Sequence, residues 1–599
     1  LEEPAFTGEI IESASATYST TPGAPAGPIV MFTTRSEFHQ AFGNFTATNI
    51  GRRMAIVLDD EIITSPTLQA RISSDGQITG MASLDEAADV ALVLRSGSLP
   101  ISLHVAEIRS IGPTLGQDAI RAGSISAIVG GIAVVLLVVV LYGPLFGGVL
   151  SFGVLLALLF VFGVLGGLGA ALTLPGIAGL VLTIGAAIDG NVISFERIRE
   201  ELRQGRGLRL AMKNGFRDSL SAIIDANFTT LIAAGALYQY TTGPVRGFAV
   251  TLALGVITAV IVNTVIVPFI LDVLVGKGQK SFMRLGKPYE GIPFLAMSRG
   301  IVPVALVIGA VLAGVIAFKG VNYSADFTGG TTILLEVPEG TSVADVRSAV
   351  DEVNMPGITG QSAVVFEVDD PTMSGNLINV RTPLVEGGDI GSDEFPNSLA
   401  AAINGTVVQS EFVGPAVGAD LRKGAISAIL VSLALILAYI GFRFWPSWVI
   451  AVAAVLTTAY NILFTVGIQS LFGIEFSIPL IAALLFVLGY SLNDIVIVSD
   501  RIRENVQASR HARFSELVNA AINQTLPRTV VTSVSTLLPA VALLLFGSSV
   551  LRGFSITIIL GISIVTFASI FIHSPFVIYL ERLRLSRESK KPKKRPAAS

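Results

Sequence analysis

Two aspartates inside long apolar segments are the residues best placed to do chemistry. Asp189 lies in Thr183-Ile-Gly-Ala-Ala-Ile-Asp-Gly-Asn191, and Asp494 lies in Leu488-Gly-Tyr-Ser-Leu-Asn-Asp494. An aspartate at the middle of a membrane helix costs about 2.5 to 3.5 kcal/mol on insertion scales, so a function or a buried partner must offset that cost. Burial disfavours the charged form and a nearby cation favours it, so such a carboxyl group can alternate between two protonation states. We therefore predict proton carriers, with a polar pair that only joins helices as the alternative.

Arg528 is the candidate charge partner. It opens the apolar segment 526–546 and has Thr532 and Ser535 on the same helical face, at i+4 and i+7. An arginine there could pair with one of the carboxylates, or it could extend its charge from the helix end to the membrane interface. The residues alone leave both interpretations open.

Three further polar residues lie near these positions in the sequence. Asp225 belongs to a polar stripe of the segment 219–238, where it could be a second relay group or a residue that holds two helices together. Asn191 follows Asp189 by two residues, and Asn493 comes directly before the second aspartate. The two asparagines are open to the same two interpretations, relay or helix pairing.

Composition excludes several other chemistries. The chain has 599 residues, 52% of them hydrophobic and 14% charged, and it has no cysteine, whereas about 25% of residues are charged in an average soluble domain. A chain without cysteine has no disulfide, thiolate metal site or cysteine nucleophile. The sequence contains neither G-x-x-x-x-G-K-[ST] for a nucleotide nor H-E-x-x-H for a metal. We therefore expect an ion gradient as the energy source, and no cofactor or metal.

Hydropathy predicts an α-helical polytopic membrane protein. Apolar runs of 18 or more residues are long enough to cross the hydrocarbon layer as helices. The eleven predicted spans lie near residues 124–142, 147–172, 174–195, 219–238, 246–275, 301–318, 425–443, 446–468, 478–499, 526–546 and 552–580.

Two polar regions interrupt these spans, and each is predicted to be an α+β domain. Residues 29–33 and 332–337 have strand-like patterns, and residues 84–96 and 343–353 have helical spacing. Asp326-Phe-Thr-Gly-Gly330 begins the second region, and its glycines predict a tight turn. The predicted division is a partial first domain at 1–122, membrane helices at 123–276, a cytoplasmic linker at 277–300, a membrane helix at 301–320, a second domain at 321–422, the remaining helices at 423–580 and a basic tail at 581–599.

The two halves of the chain repeat each other. Gly112-Pro-Thr-Leu-Gly-Gln-Asp118 and Gly414-Pro-Ala-Val-Gly-Ala-Asp420 differ by 302 positions (414 − 112), and Arg197-Ile-Arg-Glu200 and Arg501-Ile-Arg-Glu504 differ by 304 (501 − 197). Internal repeats are typical of membrane transporters. The second half has a span before its domain, at 301–318, and the first half has none. Because the first residue is Leu rather than Met, we expect the counterpart of that span upstream and a six-plus-six arrangement in the intact protein.

Basic residues in the short loops predict the orientation, because cytoplasmic loops retain positive charge. The loop 196–218 and the tail with Lys590-Lys-Pro-Lys-Lys-Arg595 are basic, whereas 172–176 and 471–477 contain no Lys or Arg. Both α+β domains are therefore expected outside the cytoplasm. We interpret the tail as an orientation signal that contacts anionic membrane lipids, rather than as a nucleic-acid site.

Several motifs occur in order along both halves. They are Leu94-Arg-Ser-Gly-Ser-Leu-Pro100, Ile111-Gly-Pro-Thr-Leu-Gly116, Asp189-Gly-Asn-Val, Phe195-Glu-Arg-Ile-Arg-Glu200, Asp225-Ala-Asn-Phe-Thr-Thr230, Asp326-Phe-Thr-Gly-Gly330, Asn493-Asp and Asp500-Arg-Ile-Arg-Glu-Asn505. Together they resemble the SecD and SecF membrane subunits of bacterial protein export, fused in one chain, which belong to the resistance-nodulation-division superfamily. The resemblance covers essentially the whole chain. It implies two pseudo-repeated helix bundles, with five plus six spans present of six plus six, two ferredoxin-like extracytoplasmic domains and a place in the bacterial cytoplasmic membrane.

The resemblance also implies roles for individual residues. Asp189 and Asp494 match the family's proton-pathway carboxylates, and Arg528, in Gln524-Thr-Leu-Pro-Arg-Thr529, matches a basic residue tied to that pathway. Two departures stand out. Gly190 replaces the alanine that the family more often has, and the family's first helix and early first domain, with its L-G-L-D-L-R-G-G-like turn, are not part of this chain.

The function implied is an accessory subunit of the Sec translocase. Inward proton flow would move the extracytoplasmic domains, which hold or pull a preprotein that emerges from a SecYEG-type channel. A proton-driven efflux pump for small molecules or lipids, of the same superfamily, is the first alternative, and a passive scaffold for the channel is the second. Coupling to Na⁺ instead of H⁺ is a further alternative that the residues leave open.

Overall fold

The structure is a computed structural model that describes residues 5–19, 27–58, 61–96, 107–276, 283, 291–353, 355, 357–368, 370, 375–383, 394–509 and 512–589. The chain divides into two compact units, Leu1–Val105 and Ala106–Ser599. The described part of the first unit is one small α+β domain. The second unit holds a further α+β domain and every candidate membrane span found among the described residues.

The first unit is built on an antiparallel sheet with strand order β1-β2-β5 and a separate β3-β4 pair. Its elements are β1 (Ile11–Tyr18), β2 (Pro28–Thr34), α1 (His39–Thr48), β3 (Ile56–Leu58), β4 (Glu61–Thr64), β5 (Asp75–Ile78) and α2 (Leu84–Ser96). The buried side chains of Val30, Phe32 and Ala87 belong to its core. The predicted strand 29–33 and helix 84–96 are confirmed as parts of β2 and α2.

The second unit contains five more strands and sixteen more helices among the described residues. In chain order they are β6 (Glu107–Ile111), α3 (Pro113–Tyr142), α4 (Pro144–Gly167), α5 (Leu174–Arg203), α6 (Leu208–Tyr240), α7 (Pro244–Ile261), α8 (Val267–Gly276), α9 (Phe294–Lys319), α10 (Ala325–Thr328), β7 (Gly330–Val337), α11 (Val343–Glu352), β8 (Val364–Val368), β9 (Asn376–Thr382), α12 (Glu394–Ala402), β10 (Thr406–Val413), α13 (Pro415–Arg443), α14 (Trp448–Phe472), α15 (Ile478–Ala508), α16 (Phe514–Phe546), α17 (Ser549–Ala568) and α18 (Ser574–Ser589).

The second α+β domain has the ferredoxin-like topology that the resemblance implied. The order along the chain is β7-α11-β8-β9-α12-β10, and the order in the sheet is β10-β7-β9-β8, with every pairing antiparallel. Ile333, Leu335 and Phe395 lie in its buried core. Strand β6, which the sequence placed in the first domain, pairs with β10 and extends this sheet.

Eleven helical segments of the described chain are long and apolar enough to cross a membrane, which confirms the predicted number. They are longer than the apolar runs because the helices continue into charged sequence. The charged stretch 196–218, predicted as a loop, is mostly helix, since α5 ends at Arg203 and α6 begins at Leu208. Likewise α16 begins at Phe514, so Arg528 lies fourteen residues (528 − 514) inside the helix rather than near its end.

Helices α5 and α15 form the centre of the bundle. In their most apolar windows, 89% and 94% of the residues are buried, compared with 17% for α9. A helix surrounded by other helices faces no lipid, so its polar side chains find protein partners. The two aspartates singled out by the sequence lie on these two central helices.

The last span of each repeat contains a π-helical turn directly before a helical segment whose second residue is proline, Pro268 or Pro575. The turns are Val262–Ile266 and Ser569–His573. Such turns are frequent at functional sites. Here Asn263 accepts a hydrogen bond from Asn191 Nδ2 at 2.6 Å, and His573 Nε2 lies 2.9 Å from the Ser499 hydroxyl.

Candidate functional site: a buried polar centre between two repeats

Arg528 and Asp189 form a buried ion pair between the two repeats. Arg528 donates to Asp189 Oδ1 at 3.1 Å, and the side chains are 5% and 7% exposed. The bond joins α16 to α5 across 339 residues of sequence. A charge-assisted hydrogen bond in such a dry place is stronger than one at a surface. The arginine therefore does not extend to the interface, which was the other interpretation of its sequence position.

Asn493 supplies the second contact of Asp189. Its Nδ2 donates to Asp189 Oδ2 at 3.3 Å. The two residues are equivalent in the repeat, since α15 begins 304 positions after α5 (478 − 174) and 493 − 189 is also 304. A carboxylate of the first repeat is thus held by an arginine and an amide of the second.

Asp494 lies beside this pair but is not bonded to it. The residue is 2% exposed, and its Oδ2 has no hydrogen-bond partner among the described residues. It lies within range of charge interaction with both Arg528 and Asp189. Two donor nitrogens of the arginine, Nε and Nη1, also lack a partner in the described part of the chain. The centre therefore contains an unused acceptor and unused donors in the same buried region.

Tyr490 is a polar neighbour that the sequence analysis missed. It lies one helical turn before Asp494 on α15, is 5% exposed and interacts electrostatically with that residue and with Asp189. Thr532 and Thr536 of α16 lie next to its hydroxyl. The spacing of four residues on one helix face was the signal that could have identified it.

Asn191 and Gly190 take part in a separate contact. Asn191 bonds to Asn263, as described above, and a Cβ atom at Gly190 would stand 2.6 Å from Asn263 Nδ2. Glycine at this position therefore leaves room for the asparagine pair, which explains the departure from the family's usual alanine.

Asp225 lies in a second ionic cluster, away from Asp189. It accepts hydrogen bonds from Tyr439 Oη at 2.7 Å and from Arg443 Nε at 2.6 Å, and the same arginine reaches Asp500 Oδ2 at 3.3 Å. These contacts join α6, α13 and α15. The sequence analysis named neither Tyr439 nor Arg443, and it quoted Asp500 only as part of a family motif. The arginine ends one apolar span and Asp500 follows another, so their opposite charges at the same membrane side were the available signal.

The cytoplasmic ends of α5 and α15 are tied by reciprocal ion pairs. Arg197 bonds to Glu504 at 2.6 Å, and its repeat equivalent Arg501 bonds to Glu200. These four residues also line a cavity of about 330 Å³, whose wall includes Arg528. The cavity therefore connects the charged cytoplasmic surface with the residue that pairs with Asp189.

A metal centre is not among the arrangements seen. Across the described ranges, no three His, Cys, Asp or Glu side chains lie together in a way that could hold an ion. The chemistry available at the centre is proton binding by carboxyl groups and exchange of hydrogen-bond partners by an arginine.

Three family descriptions match the sequence. The C-terminal region of the protein export membrane protein SecD/SecF matches residues 96–275 and 397–583, the P1 head subdomain of SecDF matches residues 1–101, and the SecD/SecF GG motif matches residues 314–337. The last of these contains Asp326-Phe-Thr-Gly-Gly330.

Curated relatives and solved structures agree with these matches. The protein translocase subunit SecDF of Thermus thermophilus is 46% identical over 94% of this chain and 76% of its own length, and that of Brucella abortus is 32% identical over 96% and 75%. The crystal structure of Thermus thermophilus SecDF, described as a translocon-associated membrane protein, superposes with a TM-score of 0.78 at 45% identity, covering 97% of this chain and 79% of that one. The structure of SecDF in a super-membrane-facing form gives a TM-score of 0.67 at 46% identity, over 98% and 79%. The chain is thus a multi-pass membrane protein that belongs to the SecD/SecF family of protein-export membrane proteins.

Proposed function

We propose that the protein is an accessory subunit of the Sec translocase that uses proton flow across the cytoplasmic membrane to drive preprotein export. The observation that carries this proposal is the buried centre, in which Asp494 Oδ2 has no hydrogen-bond partner among the described residues and lies beside the Arg528–Asp189 pair. The relatives' names, translocase subunit and translocon-associated membrane protein, supply the partners. A SecYEG-type channel, a preprotein, protons and membrane lipids are the partners that we infer for this chain.

The arrangement suits a carboxyl group that gains and loses a proton. An ionised carboxylate buried without a hydrogen bond is far costlier than a neutral acid, so the observed contacts fit the protonated form of Asp494. When that proton leaves, the new charge competes with Asp189 for Arg528, whose Nε and Nη1 have no partner in the part of the chain that the structure describes. The arginine would then shift its bond from α5 toward α15.

The energy released by proton flow is similar to the energy of the hydrogen bond that Arg528 would exchange. One proton that moves down about 100 mV releases about 2.3 kcal/mol. A hydrogen bond to a charged group contributes about 1.5 to 3 kcal/mol. A single proton can therefore decide which carboxylate holds the arginine, and the choice changes how α16 packs against the two central helices.

The charged cavity gives the centre a route to one side of the membrane. It is lined by Glu200, Glu504, Asp500 and Arg528, among others. A polar cavity of this size can hold water that hydrogen-bonds to its acidic side chains. We infer that this cavity is the cytoplasmic access to the centre.

Asp494→Asn tests the proposal in vesicles that contain the full chain and the channel. We expect both proton conductance and gradient-driven export to fall by at least about tenfold, since Asn keeps the shape of the side chain but cannot release a proton. Asp272→Asn is the matched control. Asp272 also lies on a membrane helix, but its side chain is 64% exposed and lies outside the centre. It is expected to leave both activities unchanged.

The same experiment separates the alternatives. Unchanged export by Asp494→Asn would contradict proton-driven export and favour a passive scaffold. Extrusion of a dye or lipid without export would favour an efflux pump. If a Na⁺ gradient drives export equally well in the absence of a proton gradient, the coupling ion is Na⁺ rather than H⁺.

A further inference from the structure

The start of the second α+β domain is joined to the extracytoplasmic end of α15. The backbone of Tyr323 bridges to that of Phe476, two residues before the helix, through Ser324 N–H to Phe476 O at 3.0 Å and Phe476 N–H to Asn322 O at 2.7 Å. The rings of Tyr323, Phe327 and Phe476 pack with centroids 5.9 to 6.1 Å apart. The domain entrance and the helix entrance therefore share one backbone bridge and one aromatic cluster.

Asp326 lies at the middle of this junction. Its Oδ2 accepts from the backbone N–H of Ile478 at 3.3 Å and from the Ser324 hydroxyl at 3.0 Å, and its Oδ1 accepts from Arg109 at 3.4 Å. The residue is 8% exposed. One carboxylate thus binds the first residue of α15, the serine two residues before it in the chain, and an arginine of strand β6 in the domain sheet.

The carboxylate takes the place of a cap that α15 lacks. Ser477, the residue before the helix, makes no side-chain capping bond. The equivalent residue of the first repeat, Thr173 (477 − 304), does cap its own helix, because its hydroxyl accepts from Gly176 N–H at 3.2 Å. A helix start has unpaired N–H groups and attracts negative charge, so a carboxylate there is stabilising. The helix with Asp189 is capped from within, and the helix with Asp494 is capped by the domain.

We propose that Asp326 is a positioning residue that couples the second α+β domain to the proton-binding centre through α15. Asp494 lies sixteen residues (494 − 478) along the same helix, about 24 Å from its start at 1.5 Å per residue. Because α15 is packed on all sides, a shift of its end is transmitted along its length rather than absorbed by bending. This inference deepens the proposed function and rests on it.

The principal test compares three variants in vesicles with the full chain and the channel. Asp326→Ala is expected to lower export per proton conducted by about tenfold, the factor expected when a hydrogen bond to a charged group is lost. Proton conductance itself is expected to stay within about twofold of the parent. Asp345→Ala is the matched control, since the Asp345 carboxylate also accepts a backbone N–H at a helix start, that of Ser342 at 2.8 Å before α11, but the bond lies entirely within the domain. It is expected to leave the ratio unchanged.

A third variant separates coupling from simple capping. Asp326→Ala combined with Ser477→Asp gives α15 a cap of its own, without a bond to the domain. We expect this pair to recover the thermal stability lost in Asp326→Ala but not the export. Recovery of export would overturn the proposal, as would an Asp326→Ala variant that exports like Asp345→Ala.

A physical measurement keeps the test independent of transport. The chain has no cysteine, so spin labels can be placed at Ser348→Cys in the domain and Phe472→Cys at the end of α14, both exposed. In Asp326→Ala, the distance distribution between the two labels is expected to become about twofold wider, because the hydrogen bonds of the charged carboxylate are lost. An unchanged width would overturn the proposal. If Asp326→Ala does not fold, Asp326→Asn replaces it, since Asn keeps an acceptor for Ile478 but loses its charge toward Arg109.

The two proposals fail in different ways. If Asp494→Asn conducts and exports like the parent, the proton-driven function is wrong. If Asp494→Asn is inactive while Asp326→Ala exports normally, only the coupling through Asp326 is wrong.

Discussion

The two helical repeats have the same scaffold but different charges at equivalent positions. Asp189 of the first repeat corresponds to Asn493 of the second (493 − 189 = 304), and Arg528 corresponds to Ala222, because α16 begins 306 positions after α6 (514 − 208). Asp494 corresponds to Gly190 (494 − 304). The duplication supplies two nearly equivalent helix pairs, and the substitutions concentrate the ionisable groups into one asymmetric centre between them. The two repeats thus share their helix arrangement, whereas the ionisable groups of the centre come from non-equivalent positions.

The cytoplasmic ends show the opposite behaviour. There Arg197 and Arg501 exchange glutamate partners across the repeat boundary, so the equivalence is complete. The symmetric contacts join the two repeats in the same way twice, whereas the asymmetric Arg528–Asp189 contact lies at the centre for which we propose proton binding. Three predictions test this division, beginning with the change of largest expected effect.

Arg528→Ala gives the second repeat the alanine that the first repeat has at the equivalent position, Ala222. It leaves Asp189 buried without its cation, and removal of one partner of a buried pair costs about 3 to 5 kcal/mol. Thermal and urea unfolding of the purified protein in detergent would measure this loss. Arg528→Ala combined with Asp189→Asn is expected to recover most of the stability. A double variant no more stable than the single one would show that the pair is not what holds α16 to α5.

Asn493→Asp makes the two central helices equivalent. It places a second carboxylate next to Asp189, and we expect a cost of about 1 to 3 kcal/mol from like-charge repulsion and a lost amide donor. The cost is expected to shrink as the pH falls, since one proton on the pair removes the repulsion. Unfolding at several pH values would measure it, with Asn493→Ser as the uncharged control. A cost independent of pH would mean that the amide bond, not the charge difference, matters here.

Glu475→Gln tests a smaller difference, in the loop before α15, where the first repeat has Ala171 (475 − 304). Burial raises the pKa of Glu475, opposed by its ion pair with Arg381. The folded protein therefore holds a proton that the unfolded chain has released above about pH 4.3, and stability falls as the pH rises through that window. The stability of the parent minus that of the variant is thus expected to be largest at low pH, with a change below about 1 kcal/mol. A difference that grows with pH would show that the pair with Arg381 outweighs burial.

Much of the architecture could be predicted because it depends on local properties. Eleven spans follow from run length and hydropathy, and the repeat follows from motif spacing. Asp189 and Asp494 were identifiable because a carboxylate inside an apolar run is costly wherever it lies. The helix ends were predicted too short, because hydropathy detects the membrane-embedded part of a helix, whereas the helical backbone of α5 and α16 continues into charged sequence.

Partners across the fold could not be predicted in the same way. Arg528 and Asp189 are 339 residues apart, Asp225 and Arg443 are 218 apart, and nothing local to either residue specifies the other. Residues 107–111 were assigned to the first domain because they come before the first membrane span, and nothing in that local sequence shows that they form a strand beside β10. Asp326 was predicted only as part of a tight turn, since its bond to Ile478 requires α15 to begin at that place.

The sequence by itself determined the membrane class, the number of spans, the repeat and the two buried aspartates, because composition and periodicity report on burial one segment at a time. Only the tertiary structure decided that Asp189 is bonded while Asp494 Oδ2 has no partner among the described residues, that Asp225 belongs to another cluster, and that Asp326 caps the helix that carries Asp494. These are relations between helices, and they depend on how the two repeats pack against each other.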